Sequence, residues 1–258
     1  MLAAEHSKGV PDMAGKMQFC FQRYEKKYML TPDQLARMLA GMEEHMKSDD
    51  FGRYTICNLY YDTGDFRLIR ASLAKPVYKE KLRLRSYGVP GSEDQVFVEL
   101  KKKFNGVVYK RRTVMKAAQA MADLSRGRLA NREDQISREI NFFLESCPTA
   151  PKVFIAYDRT AFAGVEDPEL RITFDTNLRW RDRELDLRAG DWGEPILPPD
   201  QILMEVKIPG TTPVWLAHLL SRIGAFPTSF SKYGTCYTKK ILAPSLAGRT
   251  GEEARVCA

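Results

Sequence analysis

Six stretches of this chain place charged side chains at every second position, with mostly apolar residues between them. Arg23, Glu25 and Lys27 do so in QRYEKKY, and Lys79, Lys81, Arg83 and Arg85 in YKEKLRLRSY. Glu99, Lys101 and Lys103 follow in VFVELKKKF, and Arg111 in VYKRRTV. Arg171 and Asp175 in LRITFDT, then Glu205 and Lys207 in ILMEVKI, complete the set. Strand side chains alternate faces with period two, so each charged set lies on one side of its strand. If the strands close into a barrel, those faces line one interior. Such an interior suits a polyanion and a divalent cation.

An alternating charged strand is ordinarily the solvent side of an antiparallel sheet. Here the pattern recurs in most strands, Arg and Lys dominate it, and glutamates stand singly among them. A face built only for solubility mixes signs evenly. Eight strands close a barrel wide enough to hold a small ligand. The opposite faces (Leu82 and Leu84; Val96, Val98 and Leu100; Ile172 and Phe174; Ile202, Met204 and Val206) would then point outward under helices. Two like charges about 4 Å apart repel by roughly 4 kcal/mol at an effective dielectric near 20. Glu25, Glu99, Asp175 and Glu205 supply part of the counter-charge, and a chain of phosphates would supply the rest. Arginine offers phosphate a planar fork and lysine a point charge.

The remaining pattern is consistent with one domain. Residues 1–15 read as a flexible N-terminus, 16–242 as a single tunnel-like domain, and 243–258 as a flexible tail. Strand one is expected over 17–28. Thr31-Pro32-Asp33-Gln34 starts a helix with a Thr cap, Pro at the first position and Gln at the capping-box site. Leu35, Met38, Leu39 and Met42 form its buried stripe. Strands near 53–63, 77–86, 94–104, 107–116, 151–163, 169–180 and 201–208 follow. Helices are expected after Thr63, near 117–124 and 133–146, through Trp215 to Leu220, and from Tyr233 to Leu242. Asn105-Gly106 between two alternating runs is the strongest hairpin signal. The fold class is α+β: a closed eight-stranded antiparallel barrel with a charged interior, surrounded by helices.

A net charge of +7 favours an anionic partner. Five dispersed cysteines form neither a disulfide framework nor a zinc motif, so a reducing, cytoplasmic setting is expected. Neither a secretory leader nor a run of about 18 apolar residues that would span a bilayer is expected. Basic faces with interleaved tyrosines can bind nucleic acid. Here glutamates share the face and would repel a phosphodiester backbone, so nucleic acid is not an expected partner. Tyr28, Tyr60, Tyr61 and Tyr87 read as packing or mouth residues rather than base-stacking platforms, and Lys26, Lys102, Lys110 and Arg112, off the tunnel parity, as solvated. His6, His45 and His218 fall outside the charged strands.

In order along the chain, YEKKY (24–28), NLYYDT (58–63), KLRLRSY (81–87), VELKKK (98–103), YDRTAF (157–162), LRITFDTNLRW (170–180), LMEVK (203–207) and FSKYG (230–234) resemble the vacuolar transporter chaperone (VTC) type polyphosphate polymerase domain. That domain belongs to the triphosphate tunnel metalloenzyme superfamily. Each motif is weak alone; their order over residues 17–240 is specific. The resemblance implies that Lys27, Arg83, Arg85 and Lys101 hold nucleotide phosphates and growing chain, with Arg159 and Arg171 as the later-strand arginines. It implies Glu205 as the ligand of Mn²⁺ or Mg²⁺, with Glu25 and Glu99 as further carboxylates. Ser231 and Lys232 match the family's C-terminal Ser-Lys. Arg23, Lys81, Lys103, Arg111 and Lys207 extend the expected substrate-binding lining.

The activity implied is transfer of the γ-phosphoryl of ATP onto inorganic polyphosphate. ATP and polyphosphate or pyrophosphate are the implied partners, and the resemblance adds a separately encoded membrane protein as the receiver of product. Two departures stand out. Arg23 replaces the first glutamate of the superfamily's Glu-x-Glu-x-Lys, as expected of the polymerase branch, and Ser229 replaces a lysine two positions before the Ser-Lys. A tunnel-type triphosphatase or polyphosphatase differs only in its acceptor and would need a positioned water and a carboxylate base, for which Glu25 is the candidate. A non-catalytic polyphosphate sensor would bind without turnover and lose little binding with Glu205.

Overall fold

A computed structural model describes residues 24–243 apart from 106 and 132. Arg23, both expected flexible ends (1–15 and, but for Ala243, the tail) and the first part of the expected strand one lie outside the described residues. The chain runs β1 (Tyr24–Leu30), α1 (Pro32–Met42), β2 (Met46–Asp62), α2 (Arg67–Leu73), β3 (Tyr78–Tyr87), β4 (Gln95–Phe104) and β5 (Val107–Lys116). Then come α3 (Ala117–Ser125), α4 (Gln135–Ser146), β6 (Ala150–Gly164), β7 (Arg171–Arg181) and the two-residue β8 (Glu194–Pro195). The last elements are β9 (Ile202–Ile208), α5 (Val214–Arg222), α6 (Lys232–Cys236) and a π-helical turn, Tyr237–Leu242.

Local chemistry explains the boundaries. The Thr31 hydroxyl accepts from Gln34 N and the Gln34 side chain accepts from Thr31 N, closing the capping box. Met38 and Met42 are buried while Leu39 faces solvent, so the α1 stripe is narrower than expected. β2 begins at Met46, earlier than expected, and its register against β6 shifts between Ser48 and Arg53. The DDFG run inside that break, with Gly52 at φ 61°, is an irregularity within the strand.

All ladders are antiparallel, in the order β1-β9-β7-β6-β2-β3-β4-β5, with β8 on β7. The expected closed barrel is thus not what these ladders form: among the described residues the path is open, ending at β1 and β5. β1 pairs along its length with β9, and β5 with β4. The sheet nonetheless curls. Lys101 on β4 feels the charges of Glu25 and Lys27 on β1, near the other end of the path, and Lys81 on β3 also feels Lys27.

Packing is inverted, as the alternation requires. Leu82, Leu84, Val96, Val98 and Leu100 lie outside the curl under Ala117, Ala120 and Leu124 of α3 and Ile140, Phe143 and Leu144 of α4. Ile172, Phe174, Ile202, Met204 and Val206 pack under Met38 and Met42 of α1 and Leu216, Leu219 and Leu220 of α5. Each such side chain contributes about 1.5–3 kcal/mol on burial. A third cluster fills one end of the concave face: Ile56, Tyr60, Ile155, Leu178 and Leu203 against Tyr233, Cys236 and Tyr237. A bulge makes this possible. Ala156 pairs with Arg179 but Asp158 with Thr176, and Asn177 takes φ 50°, so the parity of β7 flips after Asp175. Leu178 and Trp180 therefore turn inward and Arg179 outward. The charged interior occupies the other part of the concave face.

Candidate active site

Two carboxylate-centred clusters face each other across the concavity. In the first, Arg159 grips Asp175 with Nε to Oδ1 at 2.6 Å and Nη2 to Oδ2 at 2.7 Å, and Nη2 also reaches Glu205 Oε2 at 3.5 Å. Lys232 Nζ lies 2.6 Å from Asp175 Oδ2 and 3.1 Å from Glu205 Oε1. Lys27 Nζ stands 3.5 Å from Glu205 Oε1 and 3.8 Å from Glu25 Oε1, and donates to Phe230 O. Register builds this group: Lys27 opposes Glu205 across β1–β9, and Arg159 opposes Asp175 across β6–β7. Burial pushes Glu205 toward its neutral form, but the charges of Lys232, Lys27 and Arg159 outweigh it and hold the carboxyl well below its usual range. Burial alone would lower Lys232, yet Asp175 and Glu205 raise it.

In the second cluster Glu99 is 1% exposed and meets four basic side chains. Arg83 reaches Oε2 through Nη2 at 2.6 Å and Arg112 reaches Oε1 through Nη2 at 2.6 Å. Lys110 Nζ is 2.7 Å from Oε1, and Arg85 Nε is 3.8 Å from Oε2. Against burial, Arg83, Arg85 and Lys110 keep this carboxyl far below its ordinary pKa. Arg83 Nη1 donates to Tyr60 Oη, whose ring stacks on Tyr233 of α6, and Arg85 Nε donates to Asn58 Oδ1. Burial would raise Tyr60, but Arg83, Arg85 and Lys81 lower it.

Lys81 and Lys101 stand between the clusters. Burial pushes Lys81 down to about 8 and lowers Lys101, although Lys101 keeps access to solvent where the concavity opens. Lys81 Nζ lies 3.4 Å from the Ser231 hydroxyl, which also accepts from Gly234 N to cap α6. Lys103 opposes Lys79 at the far end of β4, and Lys207 opposes Glu25 and Arg171 at the rim. Arg171 is exposed there and does not join the clustered arginines.

One expected lining residue faces the wrong way. Arg111 opposes Leu100 and pairs with Glu139 of α4 at 2.9 Å, on the helix-covered side. Lys110 and Arg112, expected to be solvated, take its place on Glu99. The hairpin explains the inversion: Phe104 pairs with Val107, so Glu99 falls opposite Arg112. Two residues of sequence, Asn105 and Gly106, separate that pair, so the sequence held the signal for the register. Thr173, also missed, lies on the inner parity between Arg171 and Asp175, opposite Glu205. Its buried hydroxyl is without a hydrogen-bond partner among the described residues.

The three expected metal carboxylates do not assemble. Glu99 is held on the opposite wall by Arg83, Arg85, Lys110 and Arg112, whereas Glu205 and Glu25 share Lys27. Among the described residues no group of three or more His, Cys, Asp or Glu is placed to hold a metal. This donor set is not a dedicated cage. It fits a hard cation such as Mg²⁺, which takes one or two carboxylates and completes its shell with water and substrate phosphates.

A VTC domain family model matches residues 22–240. Subunit 4 of the vacuolar transporter chaperone complex of Schizosaccharomyces pombe is 27% identical over 208 residues, covering 69% of this chain. The chain spans only 29% of that relative's length. A candidate adenylate cyclase of Bacillus halodurans shares the fold with a TM-score of 0.51 at 14% identity, covering 80% of this chain and 92% of that one. A candidate adenylyl cyclase of Hippeastrum with a dominant triphosphatase activity gives 0.51 at 17% identity, covering 84% and 96%.

Proposed function

This chain belongs to the VTC domain family, and we propose that it transfers the γ-phosphoryl of ATP onto a growing inorganic polyphosphate chain. The observation that supports this reading is the convergence of Lys27, Arg83, Arg85, Lys101, Arg112, Arg159 and Lys232 on one concave face, with carboxylates too few to neutralise them. Phosphoryl transfer asks a protein mainly for positioning and charge stabilisation.

The terminal phosphates of ATP rest among Arg83, Arg85 and Lys101 on one wall and Lys27, Arg159 and Lys232 on the other. An ionised oxygen of the acceptor phosphate attacks the γ-phosphorus in line. The new P–O bond forms as the bond to the β-bridging oxygen breaks, and ADP leaves with that electron pair. No proton need be removed from such an acceptor, so a histidine base is unnecessary. His45 accordingly stacks on Trp215 at 4.3 Å, outside the charged face. A Mn²⁺ or Mg²⁺ held by Glu205, with Glu25 nearby, would neutralise phosphate charge. Lys81, Lys103, Lys207 and Ser231 extend the surface along which the polymer lies, and Arg171 meets it at the rim.

A cytoplasmic setting, where ATP is available, completes the reading; Cys57, Cys147 and Cys236 are free. Among the described residues no helix is long and apolar enough to cross a membrane. The fission-yeast relative is a complex subunit, and by analogy a membrane-protein partner would receive the polymer.

The test is incubation of the purified protein with ATP and Mn²⁺, with polyphosphate and free phosphate assayed side by side. Polymer accumulating with ADP, and lost in Glu205→Ala and Arg83→Ala, is the expected result. Free phosphate without polymer would replace the reading with a tunnel triphosphatase. Tight tripolyphosphate binding with neither product would leave a sensor.

A further inference from the structure

The cationic wall continues into a shelf of aromatic rings. Tyr87 lies two positions from Arg85 on β3, Phe97 two from Glu99 on β4, and Tyr54 four from Asn58 on β2, so all share the concave face. Ring centroids are 5.9 Å apart for Tyr54–Tyr87 and 5.7 Å for Tyr87–Phe97, and Phe51 extends the row at 6.3 Å from Tyr54. The shelf and the phosphate-facing cations share a residue: Arg112, which holds Glu99, lies 4.3 Å over the Phe97 ring. At its other end Tyr54 opposes Arg159 across β2–β6.

Exposure separates this row from ordinary packing. Phe97 is buried, but Tyr87 is 51% and Phe51 61% exposed. Neither neighbour of Tyr87 lies parallel to it, at 55° and 87°, so a flat partner can stack there without displacing a ring already stacked. Inorganic polyphosphate has no group for such a surface, whereas a nucleoside triphosphate carries one at the end remote from its reactive phosphate. Two residues along a strand advance about 6.8 Å. A base resting at Tyr87 therefore leaves its phosphates over Arg85 and Arg83, where the concavity is most basic.

We propose that Tyr87, backed by Tyr54 and Phe97, is a stacking platform for the base of the donor nucleotide, separating nucleotide from bare polyphosphate at the mouth. The assignment rests on the phosphoryl-transfer reading above and adds a base-binding subsite to it. Stacking is tolerant of base identity because every base presents a π face. The platform therefore selects nucleotides as a class.

The test is calorimetric titration of ATP and of inorganic tripolyphosphate into the wild type, Tyr87→Ala and Tyr87→Phe. Tyr87→Ala should weaken ATP binding by about 5- to 150-fold and leave tripolyphosphate within about twofold, the span expected for one stacked base. Tyr87→Phe, which keeps the ring, should bind both as the wild type does. An unchanged ATP affinity in Tyr87→Ala, or an equal loss for both ligands, overturns the platform and leaves the phosphate site intact. A wild type that binds neither ligand overturns the phosphoryl-transfer reading itself.

Discussion

The Lys232 ammonium stands 2.6 Å from Asp175 Oδ2, tying the C-terminal α6 to β7 in the middle of the sheet. Arg159 grips the same carboxylate from β6, so one fully buried acid compensates two cations. Removing one member of a buried ionic group strands its partners, typically at about 3–5 kcal/mol. Asp175→Asn is therefore expected to lower unfolding free energy by about that much in urea denaturation. A loss under about 1 kcal/mol would mean that Glu205 and solvent, rather than Asp175, compensate Arg159 and Lys232.

Arg111 and Arg112 are adjacent in sequence and opposite in consequence. Arg112→Ala removes a cation from the concave face and is expected to weaken tripolyphosphate binding at least about fivefold, near 1 kcal/mol. Arg111→Ala breaks a partly exposed pair with Glu139 and should change stability by no more than about 1 kcal/mol. Titration of both variants with tripolyphosphate checks this; equal losses would contradict the observed face of β5.

Glu205 sits among Lys27, Arg159 and Lys232, so its charge opposes a bound phosphate as well as offering a cation ligand. Glu205→Gln should bind tripolyphosphate in the presence of chelator at least as tightly as the wild type, while polymer formation from ATP with Mn²⁺ is lost. Weaker chelator-insensitive binding, paired with retained synthesis, would show that Glu205 only orders its neighbours.

Burial lowers Lys81 and Lys110 to about 8 in the folded protein, with Glu99 partly offsetting the effect on Lys110. Their unfolded values are ordinary, near 10.4. Between those limits the unfolded chain binds more protons, so both lysines add stability as pH rises from about 8 toward 10. Function runs the opposite way, because neutral lysines attract phosphate less. Tripolyphosphate affinity of the free protein should fall from pH 7 to pH 9, and Lys81→Met should flatten the profile. A profile identical in wild type and Lys81→Met would remove Lys81 from the binding face.

Period-two alternation by itself determined that charged and apolar side chains sit on opposite faces of these strands. Leu82, Leu84, Val98 and Leu100 needed a helical cover, and Arg83, Arg85, Glu99 and Lys101 needed one another. Thr31 to Gln34 likewise settled the start of α1 through contacts a few residues long. The Asn105-Gly106 turn even specified that Glu99 meets Arg112, a deduction that counting charges along β5 misses and counting back from the loop supplies.

Tertiary structure decided the rest, because the deciding contacts join residues far apart in sequence. No local pattern announces the bulge at Asn177, which turns Leu178 and Trp180 inward and fills part of the concavity with apolar packing. Nor does one show Lys232 as the partner of Asp175, or Tyr54, Tyr87 and Phe97 as one row. The curl of the sheet brings Lys101 on β4 within reach of Glu25 and Lys27 on β1, although the ladders leave those ends of the path unjoined among the described residues. Alternation states which side a residue faces. Only register, bulge and curvature state what it faces there.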